Sequence, residues 1–324
     1  MEIKELVISN YKSIQNISIK NPNPFTVFVG PNAAGKSNIF EALEFYTHKS
    51  KVNSFDLTRL FGDVSKIGSE QQASLFKIEF NDFLSMIRLM VSTNKIIESE
   101  NFIFDIENDF FKSKYCSQFY INYSRIFVNN ERLDKFNYKD NWKLTLSCEN
   151  LEAVLKRILV DENKRQEIIE LLEILIPGFE NIEIKTEELS GTNNLLIYEK
   201  GLNEPLNKRI ISDGTYNIIA LLTALYQSDE PQFLCIEEPE NGLNPKVVRE
   251  LVSVFRKACK EKGHFIWLNT HSQTLVSELT PEEIILVDKI DGNTQVKQIQ
   301  GMNLHGLKMD EALLTNALGG GIPW

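Results

Sequence analysis

Apolar positions along the chain follow two rhythms, one of strands and one of helices. Ile3-Lys4-Glu5-Leu6-Val7-Ile8 has the apolar density of a strand, and Ile17-Ser18-Ile19 alternates with the two-residue period of a half-buried one. Asn21-Pro22-Asn23-Pro24 marks a turn. Phe25 to Val29 is a short apolar run of the kind a strand buried on both faces requires. After a Gly-rich loop the period lengthens. Ile39, Ala42, Leu43 and Tyr46 stand at i, i+3, i+4 and i+7, which predicts a helix over Ser37 to Tyr46.

The middle differs in texture. Lys51 to Gln72 is polar and reads as loop. From Ala73 to Val128 the runs Leu75 to Phe80, Met86 to Val91 and Phe119 to Val128 are strand-like, and together predict an antiparallel lobe. Leu151 to Ile176 is helical, with Leu151, Val154, Leu155, Ile158 and Leu159 on one face. Asp161 to Glu167 is expected as a solvated turn, and Pro177-Gly178 as a stop.

The last third returns to alternating strands and helices. Thr215 to Tyr226 is mostly apolar, the pattern of a buried helix. Phe233 to Ile236, Phe265 to Leu268 and Ile284 to Val287 are apolar runs of strand length. Pro245 to Lys262 is a charged amphipathic helix between the first two. This alternation predicts an α/β fold with a mostly parallel sheet.

Composition narrows the class. The chain has 324 residues, 42% apolar and 25% charged, which is globular and large enough for a sizeable core. Lys plus Arg number 35 against 45 acids, a formal charge of −10, which excludes a broad basic surface for bulk DNA binding. The four cysteines, at 116, 148, 235 and 259, form no CxxC and no zinc-like pairing, as expected in a reducing compartment. Met1-Glu2-Ile3-Lys4-Glu5 carries early acids, so no signal peptide is expected. The longest apolar run, near Ile218 to Tyr226, is far short of a membrane span. A soluble cytoplasmic protein without membrane association is expected.

Three segments carry chemistry. Gly30-Pro31-Asn32-Ala33-Ala34-Gly35-Lys36-Ser37 matches G-x-x-x-x-G-K-[ST] between a buried strand and a helix. Such a loop closes backbone N–H groups around phosphate at the positive end of the helix, which continues through Asn38. Lys36 is placed to neutralise the β- and γ-phosphates of a nucleotide, and Ser37 to ligate Mg²⁺. Phe233-Leu234-Cys235-Ile236-Glu237-Glu238-Pro239 puts two carboxylates at the carboxyl end of a strand, where ligands bind in open α/β sheets. One acid can hold Mg²⁺ and the next can polarise water. Asn269-Thr270-His271-Ser272 follows another buried strand and brings a histidine towards the same edge.

On these motifs the chain resembles the ABC-type ATPases of the SMC, RecF and OLD group, as a stand-alone AAA-family ATPase without a TOPRIM domain. The opening Ile8-Ser9-Asn10-Tyr11-Lys12-Ser13-Ile14 resembles the family's "NF[RK]S" segment. Ser212-Asp213-Gly214-Thr215 stands where the ABC signature is expected, before a long helix. Glu237 matches the Walker B acid, Glu238 the catalytic glutamate and His271 the switch histidine, while Asn241-Gly242-Leu243-Asn244-Pro245 resembles the D-loop. There are departures. Glu237 is one methylene longer than the usual Asp, as in the OLD-type "EEPE" pattern. The signature differs from the transporter "SGGQ" at its second and fourth positions. Gln71 and Gln72 are candidates for the Q-loop or are plain loop. Lys12 either reaches a phosphate or caps a strand turn. Lys156, Arg157, Lys164 and Arg165 either touch nucleic acid or form a solvated face, since Glu162 and Glu167 interrupt them. Gly319 to Trp324 is either a free end or a partner anchor.

The resemblance implies a P-loop NTPase of ABC-head form, with a mostly parallel core sheet plus an antiparallel β and helical lobe. A nucleotide-binding core is expected over 1–48 and 205–324, and an inserted lobe over 49–204. It further implies a head-to-tail homodimer holding ATP and Mg²⁺ between copies, with Ser212 and Gly214 contacting the γ-phosphate bound by the other copy. After Val287 too little chain remains for a TOPRIM nuclease. The expected role is therefore a switch for a separately encoded effector, for example a nuclease, in antiphage defence or DNA maintenance and repair. The alternative is an ATP-assembled scaffold with hydrolysis as a slow reset, which a biologically active, non-hydrolysing Glu238→Gln would favour. Any DNA contact is expected to be ATP-dependent and salt-sensitive. A transporter ATPase fits the signature poorly.

Overall fold

The computed structural model describes residues 3–49, 61, 74–80, 83–92, 95–105, 122–133, 135, 141–304, 306–315 and 317–318. Gln71, Gln72, Cys116 and the end from Gly319 to Trp324 lie outside the described residues.

In chain order the first elements are β1 (Ile3–Tyr11), β2 (Ile14–Lys20), β3 (Phe25–Val29), α1 (Lys36–Lys49), β4 (Ser74–Phe80), β5 (Phe83–Ser92), β6 (Lys95–Asp105) and β7 (Tyr123–Ile126). Next come α2 (Leu151–Ile158), α3 (Glu162–Leu175), β8 (Phe179–Thr186), β9 (Asn193–Glu199), β10 (Leu206–Asn207) and α4 (Asp213–Tyr226). The last are β11 (Phe233–Glu237), α5 (Pro245–Lys262), β12 (Phe265–Thr270), α6 (Gln273–Ser277), β13 (Ile284–Ile290), β14 (Asn293–Gln298) and α7 (Met309–Leu314).

Contacts divide the chain into two compact units. Met1–Arg125, Glu230–Glu238 and Phe255–Trp324 form the first, and Ile126–Asp229 with Pro239–Val254 the second. The span 49–204, expected as one inserted lobe, is shared between them. β4 to β6 extend the β1–β2 hairpin into a five-stranded antiparallel sheet of order β2-β1-β4-β5-β6, whereas α2, α3 and β8 to β10 lie in the second unit.

The six-stranded sheet has the order β14-β13-β3-β12-β11-β7. β13, β3, β12 and β11 run parallel to one another, and β14 pairs antiparallel with β13. Every residue of β3 is buried, as a strand covered on both faces requires. Phe28 meets Phe40 of α1 edge-on at 5.4 Å. Phe25, an odd number of residues away and so on the opposite face, stacks on Phe255 of α5 at 6.4 Å. Trp267 of β12 fills the sheet between Phe28 and Phe233.

Three expectations are corrected. The run ending at Val128 does not join the antiparallel lobe. Its strand β7 sits beside β11 in the core sheet, with all four residues buried, the Tyr123 ring edge-on to Phe233 and its hydroxyl donating to the Phe40 carbonyl at 2.9 Å. Asp161 to Glu167 is not a turn. The Asp161 carboxylate accepts from the amides of Asn163 and Lys164, caps α3, and makes the polar run that helix's first turns. The basic side chains around them are not simply solvated either. Arg157 donates to the carbonyls of Asn141, Trp142 and Gln227, and Lys164 pairs with Asp229.

In the second unit, β8, β9 and β10 form a small antiparallel sheet. α4 is buried nearly throughout, from Tyr216 to Tyr226, matching its apolar composition.

Candidate active site

Parallel pairing brings the ends of β3, β11 and β12 to one edge. Val29 is level with Thr270, and Glu237 with Asn269, so the residues that follow each strand emerge side by side. Gly30, Pro31, Asn32, Ala33 and Ala34 form the loop after β3, with the Ala34 amide turned back to the Pro31 carbonyl at 3.3 Å. Gly35 has φ +103, and a Cβ there would strike the Thr294 hydroxyl, so the site admits only glycine. Lys36 opens α1, and its ammonium donates to the carbonyls of Gly30 (2.7 Å) and Pro31 (2.9 Å).

The loop is clasped from outside the motif. Buried Thr294 on β14 donates to the Ala34 carbonyl at 2.9 Å and shares a 2.7 Å hydrogen bond with Ser13 in the β1–β2 turn. Asn38 donates to the same Ser13 hydroxyl at 2.7 Å. Lys12, next in that turn, pairs with Glu41 of α1.

Glu237 lies at the centre. Its Oε2 accepts from the Ser37 hydroxyl at 2.5 Å and from Asn269 Nδ2 at 3.1 Å. Asn269 also donates to Ser37 Oγ at 3.3 Å. Its Oε1 accepts from Arg125 Nε at 2.6 Å and pairs with Nη2, while Arg125 Nη1 reaches Glu44 of α1 at 2.9 Å. Burial opposes the charge on Arg125, but Glu237 and then Glu44 outweigh it and hold the guanidinium well above its ordinary value.

Glu238 follows with φ 47, a left-handed conformation that side chains rarely adopt, held by its amide on the Asn269 carbonyl at 3.0 Å. Strain of this kind concentrates at functional sites. Its carboxylate stands 3.7 Å from His271 Nδ1, and both side chains are partly exposed.

Ser212, Asp213, Gly214 and Thr215 belong to the second unit. Ser212 caps α4, accepting from the Thr215 amide at 3.0 Å. A Cβ on Gly214 would overlap the Gly242 carbonyl, so this loop packs directly on the D-loop segment. Asn217 ties the same segment down through the carbonyls of Pro239 (3.0 Å) and Asn241 (2.8 Å).

The donor set fits a magnesium nucleotide. A hydroxyl and a carboxylate oxygen 2.5 Å apart are hard oxygen ligands beside a phosphate-cradling loop. Ser37 and Glu237 would supply two ligands, with phosphate and water oxygens suited to the rest of an Mg²⁺ shell.

Arg125, Glu44 and Thr294 were not singled out from the sequence, and Ser13 and Asn269 were named only within longer motifs. Arg125 left a trace, a lone charge inside the apolar run Tyr123 to Val128. Thr294 left none.

A family model described as "AAA domain, putative AbiEii toxin, Type IV TA system" matches residues 98–277, more than half of the chain. A putative ABC transporter ATP-binding protein of Pyrococcus abyssi is 31% identical over 113 residues, which is 34% of this chain and 42% of that protein, so less than half of that relative's length is matched. An ATP/GTP phosphatase of Helicobacter pylori is 23% identical across 86% of this chain and 87% of its own. Among solved structures, an SMC head bound to the C-winged helix domain of ScpA superposes with a TM-score of 0.64 over 95% of this chain and 100% of that one, at 16% identity, which is a likeness of fold. The chain belongs to the AAA-domain family so described, and its fold is that of SMC heads.

Proposed function

We propose that the chain hydrolyses ATP, with Mg²⁺, in a head-to-tail pair of copies, and that the ATP-bound pair is a switch acting on a separately encoded effector in antiphage defence or DNA maintenance. The observation that carries this reading is the shared sheet edge, where Ser37 meets Glu237 and Glu238 stands 3.7 Å from His271. Ser37 and Glu237 would hold Mg²⁺, which would supply charge neutralisation. The loop amides from Gly30 to Asn38 and the Lys36 ammonium hold and orient the phosphates. Glu238 accepts a hydrogen bond from the attacking water and aligns it, and His271 donates towards the γ-phosphate. ATP and water then give ADP and phosphate. Ser212 and Gly214 complete the site of the other copy. Loss of the γ-phosphate removes those contacts and releases the pair, so nucleotide state selects between two assemblies. The family description, which names a toxin of a type IV TA system, supports action on another macromolecule.

The test is light scattering on Glu238→Gln with and without Mg-ATP, beside a phosphate-release assay. A doubling of mass only with Mg-ATP is expected, with hydrolysis down by about 100-fold or more and nucleotide binding retained. A mass that ignores ATP contradicts the paired site, and undiminished hydrolysis contradicts the role of Glu238.

A further inference from the structure

The cluster behind Glu237 does more than fill space. Lys12 and Arg125 pair with Glu41, Glu44 and Glu237 in one partly buried group beside α1. Lys12 is committed to Glu41. Arg125 is divided: Nε and Nη2 face Glu237 Oε1, and Nη1 faces Glu44. Glu237 is thereby sorted by oxygen. Oε1 is occupied from the protein interior, and Oε2 is turned to Ser37 and Asn269 on the nucleotide side. A glutamate has one more rotatable bond than an aspartate, and so needs such a hold to present one oxygen reproducibly.

We propose that Arg125, anchored by Glu44, is a positioning residue that fixes Glu237 as a one-oxygen ligand of the nucleotide-bound Mg²⁺ through Oε2. The inference rests on the Mg-ATP reading above and adds to it the residue that makes a Walker B glutamate serviceable in place of aspartate.

The test measures binding and not turnover. A fluorescent ribose-labelled ATP analogue is titrated into wild type, Arg125→Lys and Glu44→Gln, first in EDTA and then against increasing Mg²⁺, with thermal melts to establish folding. Loss of an outer partner of a metal ligand typically costs 10- to 100-fold in metal affinity. The Mg²⁺ concentration for half-maximal enhancement should therefore rise by about tenfold or more in Arg125→Lys. It should rise in the same direction in Glu44→Gln. Affinity in EDTA, set by the loop and Lys36, should stay within about twofold. A purely structural role predicts equal losses with and without metal, and that result overturns the proposal, as does an unchanged Mg²⁺ midpoint. Should Arg125→Lys fail to fold, Glu44→Gln decides by the same criteria. Wild-type binding that ignores Mg²⁺ would instead overturn the Mg-ATP reading itself.

Discussion

The clasp on the phosphate loop can be tested quantitatively through Thr294→Val, which keeps the side-chain shape and removes the hydroxyl. Thr294 is fully buried and donates at 2.9 Å to the Ala34 carbonyl, which is itself in a buried residue, and shares a 2.7 Å hydrogen bond with Ser13. A typical buried hydrogen bond contributes about 1 kcal/mol net, and a carbonyl left without its donor costs about 1–3 kcal/mol. Ser13 keeps its bond from Asn38, so the main loss falls on Ala34. The expected destabilisation is about 2 kcal/mol, roughly a 30-fold shift in the unfolding equilibrium, read by urea titration. Because Ala34 lies inside the phosphate loop, binding of a labelled ATP analogue in EDTA should weaken as well. Ser13→Ala and the double variant complete a cycle, and direct contact predicts a coupling of at least about 0.5 kcal/mol. A change under about 0.5 kcal/mol with unaltered nucleotide affinity would refute the reasoning and show that the loop holds its shape without Thr294.

Two further outcomes are expected. Ser212→Ala removes the cap of α4 and should cost about 1 kcal/mol of stability. In the Glu238→Gln background it should also weaken ATP-driven pairing in light scattering by far more than that, whereas a cap alone leaves pairing intact. Burial raises the thiols of Cys235 and Cys259, the latter to about 12, and the phenols of Tyr11, Tyr123 and Tyr216 well above their ordinary value. The folded state thus keeps protons that the unfolded chain releases above about pH 9. Stability should be level to pH 8 and then fall by about 1.4 kcal/mol per pH unit for each thiol. Urea titrations from pH 7.5 to about 10 check this, and a stability that rises over that range contradicts it.

Much of the fold was legible because its signals are local. β3, β11 and β12 are apolar runs of strand length, and every residue of each is buried. α5 was bounded correctly at Pro245 and Lys262 because Pro is well placed in a first helical turn and the amphipathic period runs unbroken. The errors arose where one pattern serves two structures. A short apolar run such as Tyr123 to Val128 does not say which sheet it joins, and a polar run such as Asp161 to Glu167 suits a turn or an exposed helix start equally.

The sequence by itself made the Gly30 to Ser37 loop legible, since it is one contiguous backbone device, and it showed that Glu237 ends a strand and that Glu238 and His271 follow strands. Tertiary structure alone decided what supports them. Arg125 meets Glu237 across 112 residues, Asn269 meets Ser37 across 232, and Thr294 meets the Ala34 carbonyl across 260. Such partners carry no local periodicity or spacing. They are selected by the order of strands in the sheet, which brings distant side chains within hydrogen-bond reach.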